Sequence, residues 1–228
     1  MSSDRPIDPG TVHFGDLRRT APVGREWGYD RGSPVDRVYI EGFLDRHREL
    51  VRGRVLEIGD AEYTKRFGGG RVRASDVLHV RPDVPGVTIV ADLERGDGIP
   101  SDRFDCMILT QTLQLIFDLR RAIATIHRSL APGGAVLATV PGISPIDPGE
   151  WKDSWHWAFT THSVRRLFEE AFAPSDVEVR AHGNVLAAVA FLEGLAAEEL
   201  THDELLVEDE RFQLVITVRA IKERATAP

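Results

Sequence analysis

Cysteine is almost absent from this sequence, and no long apolar run occurs in it. The lone Cys106 cannot form an internal disulfide, and its place in the apolar run FDCMIL predicts a small buried side chain on a strand. Every apolar run, 185–195 included, is too short to span a bilayer, and the start MSSDRPIDPG lacks the basic-then-apolar pattern of a signal peptide. We therefore expect a soluble, cytoplasmic protein that is not inserted in a membrane.

Clusters of basic residues and metal-binding motifs are missing as well. The chain has 36 acidic residues against 28 basic ones, a net charge of −8, and no Lys/Arg run that could follow a phosphate backbone. Its histidines show no HExxH or Cys/His spacing. No GxxxxGK[ST] motif accompanies the glycines at 68–70, which predict a turn. We expect neither nucleic acid nor a metal ion to bind.

The 228 residues, 42% of them apolar, suffice for one substantial core, and no break in composition marks a second. We predict a single domain over residues 1–228. Residues 1–35 carry prolines, glycines and charges without sustained periodicity. They are expected to form an arm or lid, and residues 36–228 the core.

Short aliphatic runs alternate with segments of helical periodicity over most of the chain. The predicted strands are residues 55–58, 71–77, 87–91, 104–110, 135–140 and 212–218. The predicted helices are residues 34–51, 119–130, 160–172 and 184–195, with caps at Asp118, at Thr160 or Thr161, and at Asn184. This alternation predicts an α/β fold with a largely parallel sheet, helices on both faces and ligands at the carboxyl ends of the strands.

Acidic residues stand where consecutive predicted strands end. Glu57 and Asp60 flank the first turn, Asp76 closes or follows the second strand, and Asp92 follows the third. One carboxylate at such a position accepts hydrogen bonds from the hydroxyls of a ribose, and another receives an adenine amino group or an ammonium. Gly59 leaves room for close backbone approach. The pattern indicates a positively charged nucleoside more than a pyrophosphate.

Three segments resemble successive motifs of the class I S-adenosylmethionine-dependent methyltransferases, specifically the type 11 group: VLEIGDAEYTKRFGGG (55–70), ADLERGDGIPSDRFDCMILTQTLQ (91–114) and LAPGGAVLATVPGI (130–143). The resemblance covers residues 25–221. Residues 25–44 and 182–200 are also similar to bacterial methyltransferase domains found with glycosyltransferases. The resemblance implies a three-layer Rossmann-like fold with a mostly parallel seven-stranded sheet, S-adenosyl-L-methionine as cofactor, and a partner in a glycosyltransferase pathway.

The resemblance also implies roles for residues of the first turn. Glu57 and Gly59, with Asp60 and Tyr63 in the same turn, would bind the methionine part of the cofactor. Ala61 and Tyr63 stand where the family usually has glycine. This departure predicts either a differently shaped turn with a tyrosine near the cofactor, or weakened binding.

Further along the chain, the resemblance implies that Asp76 binds the ribose of the cofactor. Asp92 and Leu93 would lie beside the adenine. Thr110 and Gln111, after the fourth predicted strand, would mark the place where the sulfonium meets the acceptor.

Aromatic residues surround His156 after the fifth predicted strand; they are Trp151, Trp155, Trp157 and Phe159. Aromatic faces stack on a sugar or another flat acceptor, although buried tryptophans are often only core. A hydroxyl acceptor must lose a proton, and His156 is the candidate base, with an ordinary surface histidine as the alternative. From the arm, Trp27, Tyr29 and Arg31 are expected to close over the same cleft.

The preferred hypothesis is methyl transfer from S-adenosylmethionine to a small-molecule acceptor, with a sugar or natural-product hydroxyl as the favoured class. The residues leave oxygen, nitrogen and carbon open as the accepting atom. A non-catalytic interaction module that keeps the fold is one alternative, because one scaffold hosts many functions. An NAD-dependent oxidoreductase is another, but the sequence lacks its GxGxxG fingerprint.

Overall fold

Seven strands build one sheet in a computed structural model that describes residue 8 and residues 10–224. In chain order they are β1 (Gly53–Ile58), β2 (Val72–His79), β3 (Ile89–Val90), β4 (Phe104–Thr110), β5 (Leu130–Pro141), β6 (Val177–His182) and β7 (Val215–Ile221). They lie side by side in the order β3-β2-β1-β4-β5-β7-β6. The first five pair in parallel, and β7 runs antiparallel to both of its neighbours.

Within the described residues, five α-helices accompany the sheet: α1 (Val35–Arg46), α2 (Leu119–Ser129), α3 (Thr161–Glu169), α4 (Val185–Leu192) and α5 (His202–Leu206). Three of the predicted caps are confirmed. Asp118, Thr160 and Asn184 each accept a hydrogen bond from the backbone N–H three residues ahead, at 3.1, 3.2 and 3.0 Å. A π-helical turn, Thr64–Gly68, stands between β1 and β2.

Alternate residues of the central strands point to opposite faces, so the sheet separates two apolar clusters. Leu56 and Met107 pack with α2 and α3 on one face. Val55 and Cys106 pack with α1 and α4 on the other, and Cys106 is a buried free thiol as predicted. Helices therefore cover both faces, and the predicted three-layer Rossmann-like fold with a mostly parallel seven-stranded sheet is confirmed.

Several predicted boundaries are wrong. The second strand continues to His79, two residues beyond the prediction, and the third is only Ile89–Val90. The fifth begins at Leu130, five residues before the prediction, so the predicted last residue of the helix already belongs to β5. The strand Val177–His182 was not predicted, although Glu178 and Arg180 alternate with its apolar residues as in a half-buried strand.

The arm lies against the segment that follows α4. Gly24 N donates to Glu193 O at 2.9 Å, and Ala197 N donates to Ser33 O at 2.7 Å. Gly194 has a positive φ of 67°, and a Cβ built on it would lie 2.2 Å from the carbonyl oxygen of Gly24. We call these contacts between residues 23–34 and 193–199 the arm clasp. They hold the described part of the arm at one end of the sheet.

The structure also bears on membrane insertion. Across residue 8 and residues 10–224, no helix combines the length and the apolar character needed to cross a bilayer.

Candidate active site

A cavity of about 600 Å³ opens at the carboxyl ends of β1, β2, β4 and β5. The loops after these strands form its floor, and the arm and the first turn of α1 form part of its wall. A cavity of this size can enclose most of a nucleoside-sized ligand. Of the predicted site residues, Gly59, Asp92, Leu93, Thr110, Gln111 and His156 line it.

In the turn after β1, Gly59 lines the cavity but Glu57 does not. Gly59 lines the cavity with a φ of 93°, a conformation that glycine adopts without strain. Glu57 is buried below it, where its carboxylate accepts hydrogen bonds from Tyr63 N at 3.1 Å and Thr64 N at 2.7 Å. Burial raises the pKa of Glu57. Its carboxylate therefore shapes the turn and does not line the cavity.

Two other residues of this turn also lie outside the cavity lining. Asp60 is exposed and its Oδ1 accepts the Glu62 N–H at 2.7 Å, which is a local turn contact. Tyr63 is half-buried, and its hydroxyl meets Arg37 Nη1 at 3.4 Å. Asp60 and Tyr63 therefore make contacts within the turn and with α1, and neither residue lines the cavity.

The predicted place of Asp76 at a strand end is wrong, because β2 continues past it to His79. Its buried carboxylate meets Arg54 Nε at 2.6 Å and Nη2 at 2.9 Å, and Thr88 Oγ1 at 3.3 Å. It does not line the cavity. His79 stands at the strand end in its place and does line it. His79 Nδ1 accepts the Arg81 N–H at 3.0 Å, so the neutral ring carries its hydrogen on Nε2.

The loop after β3 forms the next part of the cavity. Asp92 Oδ1 accepts the Glu94 N–H at 2.7 Å, which holds the loop while leaving the other carboxylate oxygen toward solvent and Arg95, 4.0 Å away. Leu93 is buried and supplies an apolar wall. Glu94 also lines the cavity, and its role was not predicted.

Thr110 ends β4 and Gln111 follows it, and both residues line the cavity. Gln111 has a φ of 49°, and its N–H donates to Thr139 O at 2.9 Å. Gln114, which is 2% exposed, donates from Nε2 to Gln111 O at 2.8 Å and accepts the His156 N–H on its own carbonyl at 2.8 Å. Gln114 therefore ties His156 to the end of β4, a connection that the sequence did not predict.

The aromatic cluster around His156 divides into two groups. Trp151, Trp155 and His156 line the cavity, and the His156 ring packs edge-on against Phe117 with centroids 5.4 Å apart. Trp157 and Phe159 lie outside the cavity lining. Trp157 Nε1 donates to Ile116 O at 2.9 Å, and Phe159 is buried in the core.

Two of the three arm residues expected at the cleft reach it. Trp27 and Tyr29 line the cavity, whereas Arg31 is part of the arm clasp and forms a bidentate ion pair with Glu199, with 2.9 Å between Arg31 Nε and Oε2. The hydrogen bond from Arg31 lowers the pKa of Glu199 to about 2.

The first turn of α1 adds two residues that the sequence did not predict. Asp36 lines the cavity but is only 8% exposed, and burial raises its pKa. Arg37 lines the cavity beside it and donates from Nε to the Tyr29 hydroxyl at 3.0 Å. Only the tertiary packing of α1 brings them there. In the described residues, no group of three or more His, Cys, Asp or Glu side chains could hold a metal ion.

A parallel sheet that ends in an antiparallel hairpin, with a ligand-sized cavity at its carboxyl edge, defines a class I methyltransferase scaffold. Comparison with known proteins agrees: the family model described as "Methyltransferase domain" matches residues 40–173, more than half of the chain. The chain therefore belongs to the methyltransferase domain family and is an S-adenosylmethionine-dependent methyltransferase. This membership rejects the alternative of an NAD-dependent oxidoreductase.

Solved structures share the fold at low sequence identity. An S-adenosylmethionine-dependent methyltransferase from Archaeoglobus fulgidus is 14% identical with a TM-score of 0.55, over 82% of this chain and 94% of that one. The N-methyltransferase NodS from Bradyrhizobium japonicum, in complex with S-adenosylhomocysteine, is 15% identical with a TM-score of 0.56, over 88% and 94%. Phosphoethanolamine N-methyltransferase 2 from Haemonchus contortus, with S-adenosylmethionine, is 15% identical with a TM-score of 0.55, over 92% and 55%. No curated protein matches the sequence significantly.

Proposed function

We propose that this protein transfers a methyl group from S-adenosylmethionine to a small-molecule acceptor with a flat or apolar face, a sugar or natural-product hydroxyl being the favoured class. The main observation behind the proposal is that one cavity contains both a polar surface and an aromatic surface. Polar residues follow β2 and β3, and an aromatic group with His156 lies beside the end of β4.

The residues of the floor fit the cofactor. Gly59 lets the backbone approach the methionine part, and the Asp92 carboxylate beside the Leu93 wall suits an adenine amino group and ring. At the ribose, we assign to His79 the place predicted for Asp76, because Nε2–H of its ring can donate to a hydroxyl oxygen. When bound, S-adenosylmethionine supplies an activated methyl group on a sulfonium.

The protein then has to position the acceptor in line with the methyl group. Trp151 and Trp155 offer faces for the acceptor, and Gln114 fixes the backbone of His156 at the end of β4. Holding both reactants in an attack-ready geometry lowers the barrier by roughly 7 to 11 kcal/mol in favourable cases. A hydroxyl acceptor also loses its proton, which His156 receives on a ring nitrogen as the new bond to carbon forms and the bond to sulfur breaks.

An amine acceptor is the second candidate, and the named activities of two structural neighbours are N-methylations. A neutral amine attacks through its lone pair and loses a proton only afterwards, so its methylation depends less on a base at His156. The glycosyltransferase pathway partner, which derives from the sequence resemblance, and the cytoplasmic location, which was expected from the short apolar runs, belong to the same proposal.

Calorimetric titration with S-adenosylmethionine, S-adenosylhomocysteine and NAD in parallel tests the cofactor. We expect micromolar binding of the first two and none of NAD. Binding of NAD alone would overturn the proposal. No binding by any ligand would favour the non-catalytic interaction module. A screen of hydroxyl and amine acceptors with a labelled methyl group then separates the two acceptor classes.

A further inference from the structure

The outward side of α4 is apolar along its whole length. The helix has the sequence VLAAVAFL, without a polar residue, and its inner side packs into the core. On its outer side, four side chains are between 37% and 53% exposed. We call them the α4 face; they are Val185, Leu186, Val189 and Leu192. A surface helix normally carries polar residues outward, so an exposed apolar face of this kind marks a place where another molecule packs.

Two further apolar side chains extend this surface. Asn184, the cap of α4, donates from Nδ2 to Val207 O at 2.8 Å, which holds the end of α5 beside the first turn of α4. Leu206 and Val207 are 62% and 57% exposed. Together with the α4 face they present on the order of 400 Å² of apolar surface.

This area is close to what a homodimer needs. A stable interface buries about 800 Å² on each partner, and homodimer interfaces are about 65% apolar. The α4 face with Leu206 and Val207 would therefore supply roughly three-quarters of the apolar area that each copy has to contribute.

The spacing of the α4 face suits a second helix. Val185, Val189 and Leu192 are separated by four and then three residues, which is the spacing of the seam between two packed helices. The helix is about 12 Å long, and Val189 lies near its middle. When two copies of α4 pack antiparallel about a twofold axis at Val189, Leu192 of one copy therefore approaches Val185 of the other.

Charge does not select a different occupant. Four carboxylates that stand near α4 or Val207 in the chain are engaged within the chain's own fold. Glu193 accepts a hydrogen bond from Val23 N, Glu204 accepts one from Thr201 N, Glu208 contacts the His182 ring, and Asp209 pairs with Arg211. The apolar side chains, more than these carboxylates, therefore determine what the surface binds.

We propose that this chain forms a homodimer in which the α4 face packs against the α4 face of a second copy, antiparallel across a twofold axis near Val189. Such an interface uses the same patch on both copies, so that every contact occurs twice. The inference depends on α4 and its neighbours and is independent of the acceptor that the protein methylates.

Sedimentation velocity at about 1 to 100 μM protein tests the dimer. We expect a species of twice the 25.4 kDa monomer mass, with a dissociation constant that is micromolar or lower. Val189→Lys should raise this constant by at least about 100-fold, because two lysines enter one apolar interface. Raising NaCl from about 0.1 to 0.5 M should not weaken the dimer, because apolar contacts are not screened.

The matched control changes a valine on another surface. Val90 is 53% exposed and lies on β3, the edge strand farthest from β6 and β7. Val90→Lys should leave the dissociation constant within about threefold of the wild-type value. Far-UV circular dichroism checks that both lysine variants are folded.

Cross-linking tests the geometry without a charged substitution. The lone Cys106 is buried, so one introduced cysteine supplies the accessible thiol. In Val189→Cys, a bifunctional maleimide with a span of about 8 Å should link the two copies, because packed helices lie about 8 to 10 Å apart. Val90→Cys should give no linked dimer on a denaturing gel.

Four results would count against the proposal. A monomer at every concentration would reject the dimer. A dimer that persists in Val189→Lys, or that leaves Val189→Cys without cross-links, would have its interface elsewhere. Dissociation on adding salt would assign the association to ion pairs. A monomer that binds phosphatidylcholine vesicles, and loses this binding in Val189→Lys, would assign the α4 face to lipid.

Discussion

Removal of the Asp76 carboxylate should destabilise the protein and leave cofactor affinity unchanged. Asp76 and Arg54 form a bidentate ion pair at 2.6 and 2.9 Å, and Thr88 adds a third contact at 3.3 Å. Loss of one partner from a buried pair costs about 3 to 5 kcal/mol. The Asp76 side chain is only 10% exposed, but that of Arg54 is 33% exposed and can regain water. We therefore expect Asp76→Ala to lower the free energy of unfolding by about 2 to 3 kcal/mol.

Urea unfolding measures this loss without added salt, and calorimetry with S-adenosylhomocysteine measures the affinity. In a protein of this size the loss corresponds to a fall in Tm of about 4 to 12 °C. Arg54→Met combined with Asp76→Ala should cost less than the sum of the single changes, because the two groups interact. Asp83→Ala, which removes an exposed carboxylate after the same strand, should change stability by less than about 0.5 kcal/mol. A tenfold loss of affinity at unchanged stability would refute the reasoning and restore Asp76 to the ribose.

Four further predictions concern single residues. Asp92→Ala should weaken binding of S-adenosylhomocysteine by about tenfold with Tm unchanged, and an unaltered dissociation constant would reject its place at the adenine. His156→Ala should lower turnover of a hydroxyl acceptor by about 10²-fold while cofactor affinity holds; full turnover would remove His156 as the base. Burial raises the pKa of the Cys106 thiol, so a thiol reagent should react at pH 8 only after unfolding in urea, and rapid native labelling would contradict the burial. Burial lowers the pKa of His182 below 6.5, so its stabilising effect is complete above pH 6.5 and is lost as the pH falls through the folded value; His182→Gln should flatten the decline of Tm from pH 8 to 5, and an equally steep decline would exclude His182 as its cause.

The parts of the fold that the sequence predicted well are those determined by local pattern. The run from Phe104 to Thr110 is apolar on both faces because β4 is buried between β1 and β5. The cap at Asp118 was predictable because its side chain accepts a hydrogen bond from the backbone N–H of Arg121, only three residues ahead. Residues directly after such strands, including Asp92 and Gln111, line the cavity because parallel strands present their carboxyl ends at one edge.

The parts that the sequence did not predict depend on register and on distant packing. The start of the second strand was predicted within one residue, but its end was not, and Asp76 is an interior residue of a strand that continues to His79. Asp36 reaches the cavity only because α1 packs across the sheet. No pattern within α1 marks a charged residue that faces a ligand rather than solvent.

The position of β7 between β5 and β6 affects how the protein is made on the ribosome. The strand Val177–His182 has β7 as its only partner in the sheet, and β7 ends at Ile221. During synthesis, β6 therefore has no neighbour until nearly forty more residues have been added, whereas the five parallel strands can already pair. Until then the edge of β5 at Leu130–Pro141 is exposed and can pair with other chains. A nascent chain stalled before Val215 should thus be especially prone to aggregate through this edge.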